Sequence, residues 1–182
     1  YRSVNFEDPN YNVQLPCFAI HGDHDDPGGE GGLSALDILS SANLLNYFGK
    51  ADNAEKISLQ PLLIRKGAET RVALYGLGHM RDEQLTRALE RKEVSVGRPD
   101  AEDGKHWFNL LAIHQNRAKT AASSNASVRD VLLPMCMDIV IWGHERECTI
   151  GNGMDGVPMD GHLEFSVLQP GSAIATELTD VE

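Results

Sequence analysis

The stretch IHGDHDDP, residues 20–27, decides how the rest of this sequence is interpreted. It follows an apolar run over residues 13–20, interrupted only by Gln14 and Pro16, which predicts a buried strand. Several glycines and then a helical pattern come after it. Two imidazoles and three carboxylates are therefore predicted on a turn between a strand and a helix, where open α/β sheets gather their ligands. This set of side chains suits a metal ion, and the alternative is a polar turn whose aspartate caps the next helix.

Two later histidines also stand at the ends of predicted strands. His114 stands in the stretch 113–117, which follows the apolar run 110–112, and His144 stands in the stretch 143–146, which follows the run 139–142. The carboxyl ends of parallel strands meet at one edge of a sheet. We therefore predict that Asp23, His24, His114 and His144 cluster in one pocket. Two of them on opposite faces of the sheet would contradict a metal site.

The order of these motifs resembles a known signature. HGDHDDP at 21–27, IHQNR at 113–117 and GHER at 143–146 resemble the second half of the calcineurin-like metallophosphoesterase signature. Further blocks make the chain similar to the eukaryotic Mre nuclease (meiotic recombination eleven) family of DNA double-strand-break repair: SALDILS at 34–40, NYFG at 46–49, ALYGLG at 73–78, WFNL at 107–110, IWGHE at 141–145 and QPGS at 169–172. The resemblance covers nearly the whole chain and is weaker at 119–137 and 151–162.

The resemblance implies a fold class and a domain. The expected class is α/β (α+β by some schemes), forming the second half of a four-layer αββα sandwich with mixed sheets. Residues 1–182 would then be a partial nuclease domain that lacks the upstream metal motifs of the family. Because the first residue is not Met, we expect the chain to be a segment of a longer protein.

The same resemblance implies roles for particular residues. The family holds two manganese ions, and Asp23, His114 and His144 match the ligands of the second ion. His24 matches the histidine that contacts the scissile phosphate and helps the leaving group depart. Two positions differ from the family, with Asp23 in place of Asn and Arg146 in place of a histidine ligand of the first ion. A guanidinium has no lone pair for a metal, so we expect at most one ion here and no nuclease activity from this segment alone.

The implied activity is that of a manganese-dependent DNA endo- and exonuclease subunit that hydrolyses phosphodiesters by a two-metal mechanism. The implied partners are DNA, an SMC-like Rad-family ATPase, a nibrin-type subunit and a second copy of the chain, in the nucleus and in meiosis. One alternative is a catalytically inactive scaffold or remnant that keeps at most one metal site. Another phosphoesterase, acting on a small substrate, is disfavoured by the long family-specific blocks.

A helical stripe of leucine, isoleucine and alanine runs from Gly32 to Leu45. It predicts an amphipathic helix with one side on the core and an exposed apolar strip on the other. The resemblance assigns this helix to the homodimer, with Leu33, Leu36 and Leu39 on the contact face.

Composition limits the remaining possibilities. A net charge of −11 argues against a generally basic surface for nucleic acid, although metal ions can supply local positive charge. We therefore expect much of the DNA affinity to come from parts absent here or from a partner. No apolar run approaches the ~20 residues of a membrane span. Three cysteines in 182 residues are an odd and sparse set, which we interpret as reduced and intracellular.

Single residues outside these motifs receive simpler interpretations. Asp25 and Glu145 are candidates to orient the ligand imidazoles, although a solvated carboxylate is the simpler interpretation of Glu145. Trp107 and Trp142 lie in apolar runs and are predicted in the core. The isolated loop histidines are predicted at the surface: His79, His106 and His162.

Overall fold

The computed structural model describes residues 4–28, 30–51, 56–100, 106–117, 127–150 and 165–174. The strands are β1 Phe18–Ala19, β2 Asn46–Tyr47, β3 Ile57–Leu59, β4 Leu62–Lys66, β5 Thr70–Leu77, β6 Val94–Val96, β7 Phe108–His114, β8 Ile139–Gly143 and β9 Ser166–Leu168. The α-helices are α1 Ala35–Ser41 and α2 Asp82–Glu90, and short 3₁₀ turns lie at Asn5–Glu7, Glu30–Gly32 and Asp130–Leu132. None of the helices in these ranges is long and apolar enough to cross a membrane.

A five-stranded mixed sheet forms the centre of the fold. Its order is β4-β5-β7-β8-β9, in which β4 runs antiparallel to β5 and the other neighbours are parallel. Two small parallel sheets, β1-β2 and β3-β6, accompany it. The predicted α/β class with mixed sheets is confirmed, and the strand runs that end in His114 and His144 are neighbours in the sheet.

One face of the central sheet carries the hydrophobic core. Side chains that alternate along β5, β7 and β8 are almost fully buried there: Ala73, Tyr75, Leu111, Ile113, Val140 and Trp142. They belong to one cluster with Leu85 and Ala88 of α2 and with Ile57 and Leu59 of β3. Trp107 and Trp142 both lie in this cluster, so their predicted core positions are confirmed.

The opposite face of the sheet is also apolar but is less covered. The register places Val72 beside Phe108, and it places Leu110 between Leu74 and Ile139. These side chains are half-buried, and Phe108 is exposed. A sheet that is apolar on both faces is typical of a layered α/β fold in which further layers cover it.

The first predicted strand is wrong in extent and burial. Of the run 13–20, only Phe18–Ala19 forms a strand, and Leu15 is 87% exposed. Pro16 has no backbone N–H with which to continue the pairing. The strand pairs with β2 over two residues, so most of the apolar run lies outside any strand and is half-buried or exposed.

The predicted helix Gly32–Leu45 is shorter than its apolar stripe. It begins after Ser34, where the Asp37 carboxylate accepts a hydrogen bond from the Ser34 backbone N–H (2.8 Å), and it ends before Asn43, which has a φ of +56°. No residue of α1 is buried, so the prediction that one side faces the core is wrong. The predicted exposed apolar strip is confirmed, since Leu33, Ile38, Leu39 and Leu44 are exposed, whereas Leu36 is half-buried.

Candidate metal centre

Three segments deliver polar side chains to one edge of the central sheet. β7 ends at His114, and its register pairs His114 with Gly143, the last residue of β8. His144 follows at once with a φ of +85°, a left-handed conformation that is uncommon outside glycine. Asp23 lies in the turn after β1. Parallel pairing of β7 and β8 thus brings the two histidines side by side, as the strand-end argument predicts.

The donor atoms of Asp23, His114 and His144 converge on a common point. His114 Nε2 lies 3.1 Å from Asp23 Oδ1, and His144 Nδ1 lies 3.5 Å from the same oxygen. The two imidazole nitrogens are 3.3 Å apart, and all three donor atoms lie within 4.8 Å of one another. Two imidazoles and one carboxylate at this spacing fit a divalent transition-metal ion.

The pKa shifts of His114 and Asp23 favour the binding of a cation. Burial lowers the pKa of the His114 imidazole below its usual 6.5, although the hydrogen bond with Asp23 opposes the shift. Partial burial would raise the pKa of the Asp23 carboxyl, but the hydrogen bond with His114 and the nearby His144 and His24 lower it below 3.8. A neutral imidazole and an ionised carboxylate are the forms that bind metals.

Gly22 makes room for the cluster. A Cβ at this position would lie 2.9 Å from the His114 ring and 3.2 Å from Asp25 Oδ1. Asp25 Oδ1 instead accepts a hydrogen bond from the Gly22 N–H at 2.6 Å. The turn that carries Asp23 can therefore approach β7 only because residue 22 has no side chain.

His24 does not enter the cluster. Its side chain is 99% exposed, and its Nε2 lies 3.8 Å from Asp23 Oδ2. The expectation that all four residues share one pocket is thus met by Asp23, His114 and His144, while His24 stands at the rim in solvent. The turn directs neighbouring side chains in different directions, which spacing alone does not reveal.

Neither carboxylate considered for orienting the imidazoles contacts one. Asp25 bonds the Gly22 backbone, and Glu145 Oε1 accepts a hydrogen bond from the Arg117 N–H at 2.8 Å. The His144 ring is held instead by Asn116, whose Oδ1 lies 2.9 Å from His144 Nε2. Asn116 belongs to the IHQNR block, so its position in the sequence indicates that it lies near the site but does not indicate its contact with His144.

His79 lies in a loop as predicted, but the prediction that it is an isolated surface residue is wrong. Its ring stacks on His144 at a centroid distance of 6.5 Å and meets His114 edge-on at 6.4 Å. Its Nδ1 is buried without a hydrogen-bond partner in the part of the chain that the structure describes. His79 follows β5, the neighbour of β7, and this strand-end position is the signal that could have placed it at the site. His106 is exposed as predicted, and His162 lies outside the described residues.

His21 has a structural role. Its ring is buried between the Tyr47 hydroxyl, 2.7 Å from Nδ1, and the His79 carbonyl oxygen, 3.0 Å from Nε2. Because the carbonyl only accepts, Nε2 donates to it and Nδ1 accepts from Tyr47. Burial lowers the pKa of His21, which keeps the ring neutral in this arrangement. His21 therefore joins the segments after β1 and β5 beneath the cluster.

Arg146 is exposed beside the cluster. Together with Asn116, His144, Glu145 and Glu147 it lines an open cavity of about 330 Å³. Both departures from the family motif, Asp23 and Arg146, thus lie at this edge of the sheet.

Comparison with known proteins identifies the family. No protein-family model matches the chain. It is 47% identical over 190 residues to the double-strand break repair protein MRE11 of Oryza sativa subsp. indica, 46% over 179 residues to the double-strand break repair protein mus-23 of Neurospora crassa, and 45% over 180 residues to MRE11 of Gallus gallus. These alignments cover 98–100% of this chain and 23–26% of each relative. This chain belongs to the MRE11 family.

Membership of the MRE11 family agrees with the resemblance described above, since plant, fungal and animal relatives align along nearly all 182 residues. The chain spans about a quarter of the length of these MRE11-family relatives.

Proposed function

We propose that this chain is part of a nuclease domain of the MRE11 family and holds a manganese ion through Asp23, His114 and His144. The activity proposed for the domain is endo- and exonucleolytic hydrolysis of DNA phosphodiesters by two metal ions during double-strand-break repair. The observation that carries the proposal is the convergence of one carboxylate oxygen and two imidazole nitrogens within 4.8 Å. The names of the relatives support the repair role.

The exposure of the four side chains supports a different role for His24 than for the three candidate ligands. The side chains of Asp23, His114 and His144 are 32%, 26% and 25% exposed and hold the ion, which when bound supplies Lewis acidity toward a phosphodiester. His24 is fully exposed beside Asp23, so its imidazole is accessible to a phosphate group above the cluster. There it donates a hydrogen bond to the scissile phosphate and a proton to the leaving oxygen.

A second candidate function is a scaffold that keeps one metal site and does not hydrolyse DNA. Arg146 favours it, because a guanidinium takes the position of an expected ligand for the other ion. A divalent ion about 4 Å from a guanidinium is repelled by on the order of several kcal/mol at an effective dielectric constant of about 20. We accordingly propose at most one ion for these 182 residues and no cleavage by this polypeptide alone.

The partners follow the family assignment. We propose DNA, an SMC-like Rad-family ATPase, a nibrin-type subunit and a second copy of the chain, acting in the nucleus and in meiosis. The exposed apolar strip of α1 supports the second copy, because contiguous exposed apolar surface marks interaction sites. The net charge of −11 leaves most DNA affinity to metal ions and partners.

Calorimetric titration with manganese, together with a cleavage assay on single-stranded DNA, tests both candidates. We expect weak manganese binding that is lost in His114→Ala and kept in His106→Ala, a control at an exposed histidine away from the cluster. No binding by the unaltered chain would overturn the metal assignment. Robust cleavage by the purified chain that is abolished by His114→Ala would overturn our interpretation of Arg146.

A further inference from the structure

Behind the candidate metal centre, a chain of hydrogen bonds leads from His144 into the protein. His144 Nε2 lies 2.9 Å from Asn116 Oδ1, and Asn116 Nδ2 donates to Asp82 Oδ2 at 2.6 Å. Asp82 is the first residue of α2 and is 8% exposed. His144 follows β8, Asn116 lies two residues after β7, and Asp82 begins α2, so the contact exists only in the folded chain.

The direction of each hydrogen bond follows from the chemistry of the groups. An ionised carboxylate only accepts, so Asp82 requires the amide nitrogen of Asn116 to face it. The amide oxygen of Asn116 then faces His144, and this oxygen can only accept. His144 Nε2 is therefore the donor and carries the proton, which leaves a lone pair on Nδ1.

That lone pair points to the cluster. His144 Nδ1 lies 3.5 Å from Asp23 Oδ1 and 3.3 Å from His114 Nε2. Without the bond to Asn116, the neighbouring Asp23 carboxylate would favour a proton on Nδ1, the nitrogen that a cation needs free. The choice of tautomer thus decides whether His144 can act as a ligand.

Asp82 is itself held in place. Gln115, which is fully buried, satisfies its amide when the nitrogen donates to Asp82 Oδ1 at 2.9 Å and to the Met80 carbonyl at 2.8 Å. Its oxygen then accepts from the Met80 N–H at 3.0 Å. Both oxygens of Asp82 are engaged by amides, so its carboxylate cannot rotate away from Asn116 without leaving a buried donor unpaired.

We propose that Asp82 and Asn116 are positioning residues that hold His144 in the Nε2-protonated tautomer and so present Nδ1 to a cation. The proposal rests on the proposed metal-binding function, but it concerns the state of His144 before any ion binds. Outer groups that fix the tautomer of a ligand histidine typically change metal affinity by about 10- to 100-fold.

Long-range ¹H–¹⁵N correlation spectra of the histidine side chains, recorded on the metal-free chain at neutral pH, report the tautomer directly. His144→Gln assigns the signals by removing one set. We expect the Nε2–H form for His144, with a marked share of the Nδ1–H form in Asn116→Leu and in the milder Asp82→Asn. The manganese Kd rises about 10- to 100-fold in Asn116→Leu.

Asn109→Leu is the matched control. Asn109 lies near the start of β7, whereas Asn116 follows its end. Asn109 also bonds an aspartate, with its backbone N 2.6 Å and its Nδ2 3.3 Å from Asp138 Oδ2. This variant should keep both the tautomer and the Kd.

Two results would overturn the proposal. One is an Nδ1–H tautomer for His144 in the unaltered chain, which decides the matter even if a variant fails to fold. The other is an unchanged tautomer in Asn116→Leu and Asp82→Asn. Failure of manganese to bind at all, with the tautomers as expected, would instead contradict the proposed function and leave the positioning role intact.

Discussion

The candidate site depends, residue by residue, on close approach between segments that are distant in sequence. The Asp23 turn and His114 are 91 residues apart, and their contact is possible only because Gly22 presents no side chain to the His114 ring. Gly28 lies in the same segment, but a Cβ there would meet nothing closer than 3.9 Å. A side chain at residue 22 would therefore clash with the His114 ring, whereas a side chain at residue 28 would fit.

We predict that Gly22→Ala displaces the His114 ring, lowers the free energy of unfolding by about 1–3 kcal/mol and weakens manganese binding about tenfold. Gly28→Ala should change neither quantity. Denaturant titration and calorimetry on both variants measure these effects. Equal behaviour of the two variants would show that the turn relaxes without cost.

A buried ion pair lies behind the His144 loop. Arg117 Nη2 is 3.2 Å from the Asp130 carboxylate, and the two side chains are 14% and 2% exposed. Arg117 also donates to Gln169 Oε1 at 3.2 Å, while its backbone N–H holds Glu145. The pair thus joins three segments around the loop that carries His144.

We predict that Asp130→Ala lowers the free energy of unfolding by about 3–5 kcal/mol, because it leaves a buried guanidinium without its counter-charge. Lys50→Ala removes the more exposed pair with Asp37 (3.3 Å) and should cost at most about 1 kcal/mol. Urea denaturation measures both. A cost for Asp130→Ala no larger than that for Lys50→Ala would contradict the prediction.

At the scale of the elements, α1 is a helix whose stability owes little to the core. None of its residues is buried, so its ends matter more than in a packed helix. The Asp37 carboxylate accepts from the Ser34 N–H at 2.8 Å and pairs with Lys50. These contacts hold the pKa of Asp37 below its usual 3.8, and the hydrogen bond from the Ser34 N–H is the largest cause.

We predict that Asp37→Ala destabilises α1 by about 1 kcal/mol, as expected for the loss of a helix cap. Because the folded state lowers the pKa of Asp37, its contribution is present above pH 3.8 and is lost as the pH falls through the folded value. The difference in stability between Asp37→Ala and the parent should therefore shrink in acid. Hydrogen exchange of the α1 amides, with Ser40→Ala as a control outside the cap, measures this. A stability difference between Asp37→Ala and the parent that grew as the pH fell would contradict the prediction.

At the scale of the whole molecule, two apolar surfaces are incompletely covered by the rest of the fold. One is the half-buried face of the central sheet around Leu74, Leu110 and Ile139. The other is the exposed strip on and beside α1, where Leu33 is 59% and Ile38 71% exposed. Each surface includes several apolar side chains, and such surfaces indicate where further layers or partners pack.

We predict that Leu33→Glu combined with Ile38→Glu abolishes self-association of the protein, because two charges would be buried at the proposed dimer contact. Multi-angle light scattering measures the mass. Leu63→Glu, at a leucine that is 50% exposed on β4, is the matched control and should leave the mass unchanged. An unchanged mass in the double variant would remove α1 from the dimer contact, and circular dichroism checks that both variants fold.

The sequence alone determined the family, the mixed α/β class and the strand ends that carry His114 and His144. Those conclusions depend on runs of apolar residues and short motifs, whose physical cause is local: alternation and burial along one strand, followed by a polar turn. The short strand at Phe18–Ala19 and the short helix α1 were harder to predict, because an apolar run does not reveal whether other segments cover it.

The tertiary structure decided what surrounds the candidate metal ligands Asp23, His114 and His144. It placed His79 beside His144, left His24 in solvent and connected Asp82 through Asn116 to His144. These contacts join residues that lie 28 to 65 positions apart and in different elements. They depend on the register between parallel strands and on the docking of α2, and these are properties of packing that no local pattern encodes.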